Sequence, residues 1–187
     1  MDGHQKRPWA SKQGVKIIDC VFDIDGTLAD ATHRLHFIKK PPFLIDGSPN
    51  PEKPDWDGFL ADEQVGKDLP MPATWNLLTK FLHSDRDRVI FITGRSDKTR
   101  DMTEEWLCDT DCNIRASAAW QLIEFGMDIY MRKEGDRRES HVVKRELLHK
   151  ARFDGYNPEL VFEDRRSEAR MWREEGLLCC HVAEGDY

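Results

Sequence analysis

No apolar run in this sequence approaches the ~20 residues that a membrane-spanning helix requires, and the opening stretch MDGHQKRPWASKQG lacks the apolar core of a signal peptide. Cysteine is scarce and odd in number, with five in 187 residues. Only Cys108 and Cys112 are close without being adjacent, and neither a zinc spacing nor a disulfide framework follows. A reducing compartment, the cytoplasm, is therefore expected. Positive charge is in deficit: the net charge of −7 argues against a long groove that tracks a phosphate backbone. A small phosphorylated molecule or a nucleic-acid end fits that balance, whereas an extended duplex does not. There is no internal repeat and no G-x-x-x-x-G-K-[ST] phosphate loop. What remains, 39% hydrophobic and 34% charged residues, is ordinary for a globular chain of one domain with a proper core.

The chain is organised around Cys20-Val21-Phe22-Asp23-Ile24-Asp25-Gly26-Thr27-Leu28-Ala29-Asp30. An apolar run from about residue 15 to 24 reads as a buried strand, and it delivers Asp23 and Asp25 into a Gly-Thr turn. Aspartate is disfavoured in strands and costly to bury unpaired, so two at one strand end need a reason. In an open α/β sheet, ligands bind beyond the carboxyl ends of the strands. Two carboxylates there can hold Mg²⁺, which takes oxygen ligands and often bridges to phosphate. A carboxylate can also attack phosphorus to give an aspartyl-phosphate. The bland alternative makes Asp23 a turn cap and Asp25-Gly26 a hairpin signal. It would suffice for Asp-Gly alone but not for the whole string.

Residues 1–14 are polar and predict a loose arm. The pattern from Ala31 to about Lys39 suggests a short helix, after which Pro41, Pro42, Gly47, Pro49, Pro51 and Pro54 break regular structure. An insertion this long beside a site reads as a lid, about 31–70. Within it, Trp56 and Phe59 stand among acids and form either a lid wall or a local mini-core, the latter being favoured. Pro72–His83 is spaced as an amphipathic helix. Arg88–Ile92 is a second buried strand, running into Thr93-Gly94-Arg95-Ser96 and a helix over about Lys98–Cys108. At such a strand end Thr93 can donate to a phosphate oxygen, Gly94 lets the backbone approach closely, and Arg95 offers a matching fork of donors. Met127–Met131 is a third strand, followed by a charged loop and an amphipathic helix that carries Lys144 near its first turn. Leu160–Phe162 ends in Glu163-Asp164, which repeats the logic of Asp23, and a helix (Ser167–Glu174) and strand (Leu177–Val182) follow.

The string DxDGT after an apolar strand resembles the first motif of the haloacid dehalogenase superfamily of phosphatases. Thr93, Lys144 and the Glu163-Asp164 pair stand, in order, where its second, third and fourth motifs fall. The run Gly135-Asp136-x-Arg138, Val142-Val143-Lys144, Glu163-Asp164-Arg165, Met171-Trp172-Arg173 and Val182-Ala183-x-Gly185-Asp186-Tyr187 is similar to the 3′-phosphatase domain of phage polynucleotide kinase–phosphatases. Two departures concern substrate preference: Ser140 or His141 replaces an acid, with Glu139 as a stand-in, and Glu163 replaces an aspartate.

The resemblance implies a doubly wound, Rossmann-like α/β domain over 15–187, mainly parallel, with a small cap inserted after the first strand. It implies Asp23 as nucleophile, Asp25 as general acid and then base, and Thr93 and Lys144 as holders of the transferring oxygens. Mg²⁺ would be held by Asp23, the Asp25 carbonyl and Asp164, with Glu163 acting behind the metal. Arg34, Gly94 and Arg95 would bind the substrate phosphate. The expected substrate is a 3′-phosphorylated polynucleotide end. Free nucleotides are the alternative within the same chemistry, and a non-catalytic protein that binds phosphate or nucleic-acid ends is the alternative outside it. The missing phosphate loop leaves no kinase half to expect.

Overall fold

The computed structural model describes residues 18–84, 87–109 and 111–185. The expected 1–14 arm lies outside them. Strand β1 (Ile18–Phe22) takes the centre of a five-stranded parallel sheet, flanked by β4 (Asp87–Ser96) and β6 (Pro158–Glu163). Outside these lie β5 (Asp128–Arg132) and β7 (Leu178–His181), giving the order β5-β4-β1-β6-β7. A strand paired on both edges and covered on both faces must be apolar throughout. Accordingly, Cys20, Val21 and Phe22 have no solvent exposure.

Alternate residues of β1 feed two cores, as the two-residue strand period requires. Cys20 and Phe22 pack with Trp75, Leu78 and Trp106 on one face. Those side chains come from α3 (Pro72–Leu82) and α4 (Arg100–Leu107), with Ala118 and Leu122 from α5 (Ala116–Phe125). Val21 packs on the other face with Ile90, Leu148 and Trp172, the last two from α6 (Ser140–Phe153) and α7 (Arg166–Glu174). Among the described residues, no helix is long and apolar enough to cross a membrane, and all five cysteines are free thiols.

Some boundaries differ from expectation. The helix foreseen over Ala31–Lys39 is a 3-10 turn, Thr32–Phe37, stopped ahead of Pro41-Pro42. Strand β4 continues through Thr93-Gly94-Arg95 to Ser96, because an irregularity between Thr93 and Ser96 lets β5 keep pace with it. Helix α5 was not expected: its weakly patterned Ala-Ser-Ala-Ala start hides the apolar stripe. The 31–70 stretch folds into the 3-10 turn, α1 (Trp56–Phe59), α2 (Asp62–Val65) and an antiparallel pair, β2 (Ala29–Asp30) with β3 (Leu69–Pro70). Phe59 is buried in a small cluster with Ala31 and Ile38, whereas Trp56 is 41% exposed.

Candidate active site

The carboxyl ends of β1, β4 and β6 open on one side of the sheet, beside the N-terminus of α6. Backbone hydrogen bonding from Asp23 N to Phe162 O carries the β1 ladder one residue past its last paired position. Gly26 then adopts φ 79°, a left-handed turn that side chains resist, and the chain reverses. The turn leaves Asp23 buried and Asp25 at the wall of a cavity of about 660 Å³. Asp23, Asp25, Gly94, Ser140 and Lys144 all line that cavity.

Lys144 Nζ lies 2.9 Å from Asp23 Oδ1 and 2.8 Å from Glu163 Oε2. Glu163 also accepts from Trp172 Nε1 at 2.9 Å, and its other oxygen accepts the backbone N–H of Asp164 at 3.2 Å. Glu163 is thus held in place by Lys144, Trp172 and the Asp164 backbone. Burial and the Glu163 carboxylate push the Asp23 carboxyl well above its usual range, against the pull of Lys144. Burial lowers the Lys144 ammonium, but Asp23 and Glu163 outweigh it and hold the group above its usual range. Oxygens of Asp23, Glu163 and Asp164 converge within 4.8 Å of one another. Three buried carboxylates against one ammonium leave an excess of negative charge, and an all-oxygen donor set of this kind suits a hard divalent cation. Gly185 completes the cradle: a Cβ there would overlap Asp164 Oδ2 and stand 2.7 Å from its Cγ. The residues fit Mg²⁺.

A second ionic cluster lies behind Asp25. Its Oδ1 accepts from Arg34 at 2.6 Å and from Arg95 Nη2 and Nε at 2.6 and 3.0 Å. Oδ2 receives no hydrogen bond from the described residues. Asp68, buried, takes Arg34 at 2.8 and 2.7 Å and Arg95 at 2.6 Å. Burial would raise the Asp25 carboxyl, but the two guanidiniums prevail and hold it well below the usual carboxylate range. Arg34 and Arg95 have no solvent exposure. The expectation that both present themselves to a phosphate differs from this geometry: their donors are spent on carboxylates, on Phe59 O (2.9 Å from Arg34) and on Thr103.

Thr93 is buried, and its hydroxyl accepts the Arg95 N–H at 3.2 Å. Gly94 borders the cavity beside Ser140, whose Oγ would stand 3.1 Å from a Cβ at that position. Asp68 had no local signal, because its partners are 27 and 34 residues away in sequence. Glu168, buried at the start of α7, was equally hidden in a charged stretch.

The polynucleotide kinase PNKP phosphatase domain model matches residues 56–187, beginning downstream of Asp23 and Asp25. Two structures of the Pnkp1/Rnl/Hen1 complex, one described as an RNA repair complex, superpose with TM-scores of 0.60 at 24% identity. They cover 91% and 92% of this chain, which spans only 44% and 47% of theirs. A haloacid dehalogenase-like hydrolase from Streptococcus pneumoniae matches over 87% of this chain and 83% of its own, with a TM-score of 0.55 and 16% identity. These likenesses are of fold. The family match extends over well more than half of the sequence, and with the α/β sheet and its acidic strand ends it shows what the chain is: a phosphatase of the haloacid dehalogenase superfamily, belonging to the family of the polynucleotide kinase PNKP phosphatase domain.

Proposed function

We propose that this phosphatase works through an aspartyl-phosphate on Asp23, requires Mg²⁺, and removes 3′-phosphates from polynucleotide ends. The observation that carries the reading is the Asp23 carboxylate at the cavity wall, 2.9 Å from a buried ammonium and adjoining two further carboxylates. An Asp23 oxygen attacks phosphorus, and the bond from phosphorus to the 3′ oxygen breaks with its electron pair going to that oxygen. Asp25 Oδ2 gives the leaving oxygen a proton. Water then attacks the phosphoryl group, Asp25 takes a proton from it, and the bond to Asp23 opens to release inorganic phosphate.

In its pairing with Arg34 and Arg95 the Asp25 carboxyl is the ionised base, the form suited to the second step. Donation in the first step requires Oδ2 to carry a proton taken up as the dianionic phosphoryl group enters. Lys144 offsets the charge between nucleophile and phosphoryl oxygens; a preorganised donor of this kind is worth about 3–4 kcal/mol at comparable sites. Mg²⁺, held by Asp23, Asp164 and the Asp25 carbonyl, would supply further charge neutralisation. The segment 31–70 acts as a cap over the 15–187 phosphatase domain, and the free thiols suit a reducing compartment such as the cytoplasm.

The test is a phosphate-release comparison of 3′-phosphorylated oligonucleotides, 5′-phosphorylated ones and free mononucleotides. The 3′ reading expects the first to lead. A roughly tenfold preference for 5′-mononucleotides, about 1.4 kcal/mol in transition-state terms, would replace it with the nucleotidase alternative. Asp23→Asn abolishes the phospho-enzyme if the nucleophile is correctly assigned.

A further inference from the structure

Trp56 is a large apolar side chain left 41% exposed in the wall of the same cavity that holds Asp23 and Asp25. An exposed indole facing a concave site is a feature that a ligand covers, unlike one scattered on a convex surface. Its position is tightly fixed. Asp55 caps α1 by accepting Gly58 N at 2.9 Å, and Asp55 N donates to Phe37 O at 2.9 Å. Gly58 sits so close to Phe37 that a Cβ would stand 2.7 Å from Cδ1 of that ring. Trp56 meets Phe59 edge to face, with ring centres 5.8 Å apart and planes at 83°. Phe59 in turn carries the Arg34 guanidinium 4.2 Å from its ring centre, the same guanidinium that holds Asp25.

The same cavity also carries positive charge. Lys98, Lys133 and Arg137 also line it, each more than two-thirds exposed, with Arg137 paired to Asp57 beside Trp56. Their partners are surface carboxylates, and such exposed pairs are weak enough for a phosphate to displace them. A cavity of about 660 Å³ is in the ~300–1,000 Å³ class that receives a whole small ligand. Phosphate alone would leave most of it empty. The combination of an exposed indole, exposed cations and the Asp23 carboxylate in one cavity matches one chemical class: a phosphate ester whose alcohol carries an aromatic base.

Resting on the phosphatase reading above, we propose that Trp56 is the stacking platform for the nucleobase of the nucleotide whose phosphate is removed. Base–aromatic stacking tolerates every base, because each has a π-face. Trp56 therefore makes the enzyme selective for nucleotides over other phosphate esters without reading sequence.

The experiment measures kcat/KM of wild type, Trp56→Ala and Trp56→Phe on two matched pairs. One pair is a 3′-phosphorylated oligonucleotide with an intact terminal base and the same oligonucleotide with an abasic terminus. The other is a 5′-mononucleotide and ribose 5-phosphate. Wild type should favour the base-bearing member of its preferred pair by about tenfold, through KM. Trp56→Ala should bring that ratio close to one, and Trp56→Phe should keep most of it. A ratio unchanged in Trp56→Ala, or no base preference in wild type, overturns the platform. Which pair wild type prefers decides the 3′-end reading separately, so either idea can fail alone.

Discussion

Arg34 donates to Asp25 Oδ1 at 2.6 Å from a position with no solvent exposure. A guanidinium so placed is paired with two carboxylates, and we propose that it sets the charge and orientation of Asp25. Arg34→Met should therefore depress kcat much more than it raises KM, and leave the salt dependence of KM as in wild type. Because the change strands Asp68 and Asp25 with a single buried cation between them, stability should fall by about 3–5 kcal/mol in denaturant titrations. A variant of wild-type stability whose only defect is a raised, salt-sensitive KM would show that Arg34 reaches the substrate after all.

Metal removal should abolish activity, and Mg²⁺ should restore it. Mg²⁺ should also raise the melting temperature without any substrate, since a ligand at a hundred times its Kd stabilises by about 2.7 kcal/mol. Asp164→Asn should remove most of that thermal shift. Full activity after exhaustive dialysis into EDTA would sink the assigned chemistry.

Gly185→Ala tests the cradle itself. Its added methyl group would collide with the Asp164 carboxylate, so that group or the 182–185 turn must move. The concentration of Mg²⁺ needed for half-maximal activity should rise at least tenfold, about 1.4 kcal/mol. Equal Mg²⁺ dependence in variant and wild type would mean that Asp164 does not need its present position.

The Glu168 carboxyl, buried at the start of α7, is pushed up by its burial. Lys144 and Arg165 outweigh that effect and hold it below the usual range. A carboxyl depressed in the folded state contributes stability that is fully present above the ~4.3 of an unfolded glutamate. That stability is lost as pH falls through the lower folded value. Glu168→Gln should thus flatten the acid limb of the stability curve below about pH 4.3, as followed by urea midpoints from pH 3 to 7. An unaltered limb would assign the acid sensitivity to other carboxylates.

The parts of the site that were legible in the sequence are those that end an apolar strand. Asp23, Asp25, Thr93 and Asp164 each follow such a run, and the order of the runs supplied their relation. The structure places Asp23, Thr93 and Asp164 at the carboxyl ends of β1, β4 and β6, with Asp25 just beyond and Lys144 on α6 beside Asp23. Asp68 was out of reach because nothing near Gly66-Lys67-Asp68 distinguishes it from a solvated turn. Its importance comes from Arg34 and Arg95, which approach it only when 31–70 folds against β4. The same distance effect hid in the sequence the carboxylates that pair with Arg34 and Arg95. Trp56 and Phe59 differ in burial although they meet edge to face on α1: Phe59 enters the small cluster with Ala31 and Ile38, and Trp56 stays 41% exposed.

The central position of β1 also shapes how this enzyme comes into being. Its partners arrive late in the chain: Arg88 pairs with Asp19 across 69 residues, and Asn157 reaches the same carboxylate across 138. Pairings of such long range close slowly, because loop entropy must be overcome before any contact is gained. During synthesis β1, an apolar ribbon able to pair with other chains, has no partner until β4 emerges and keeps its other edge open until β6 emerges. The acidic cluster of Asp23, Glu163 and Asp164 is therefore complete only once β6 has paired with β1.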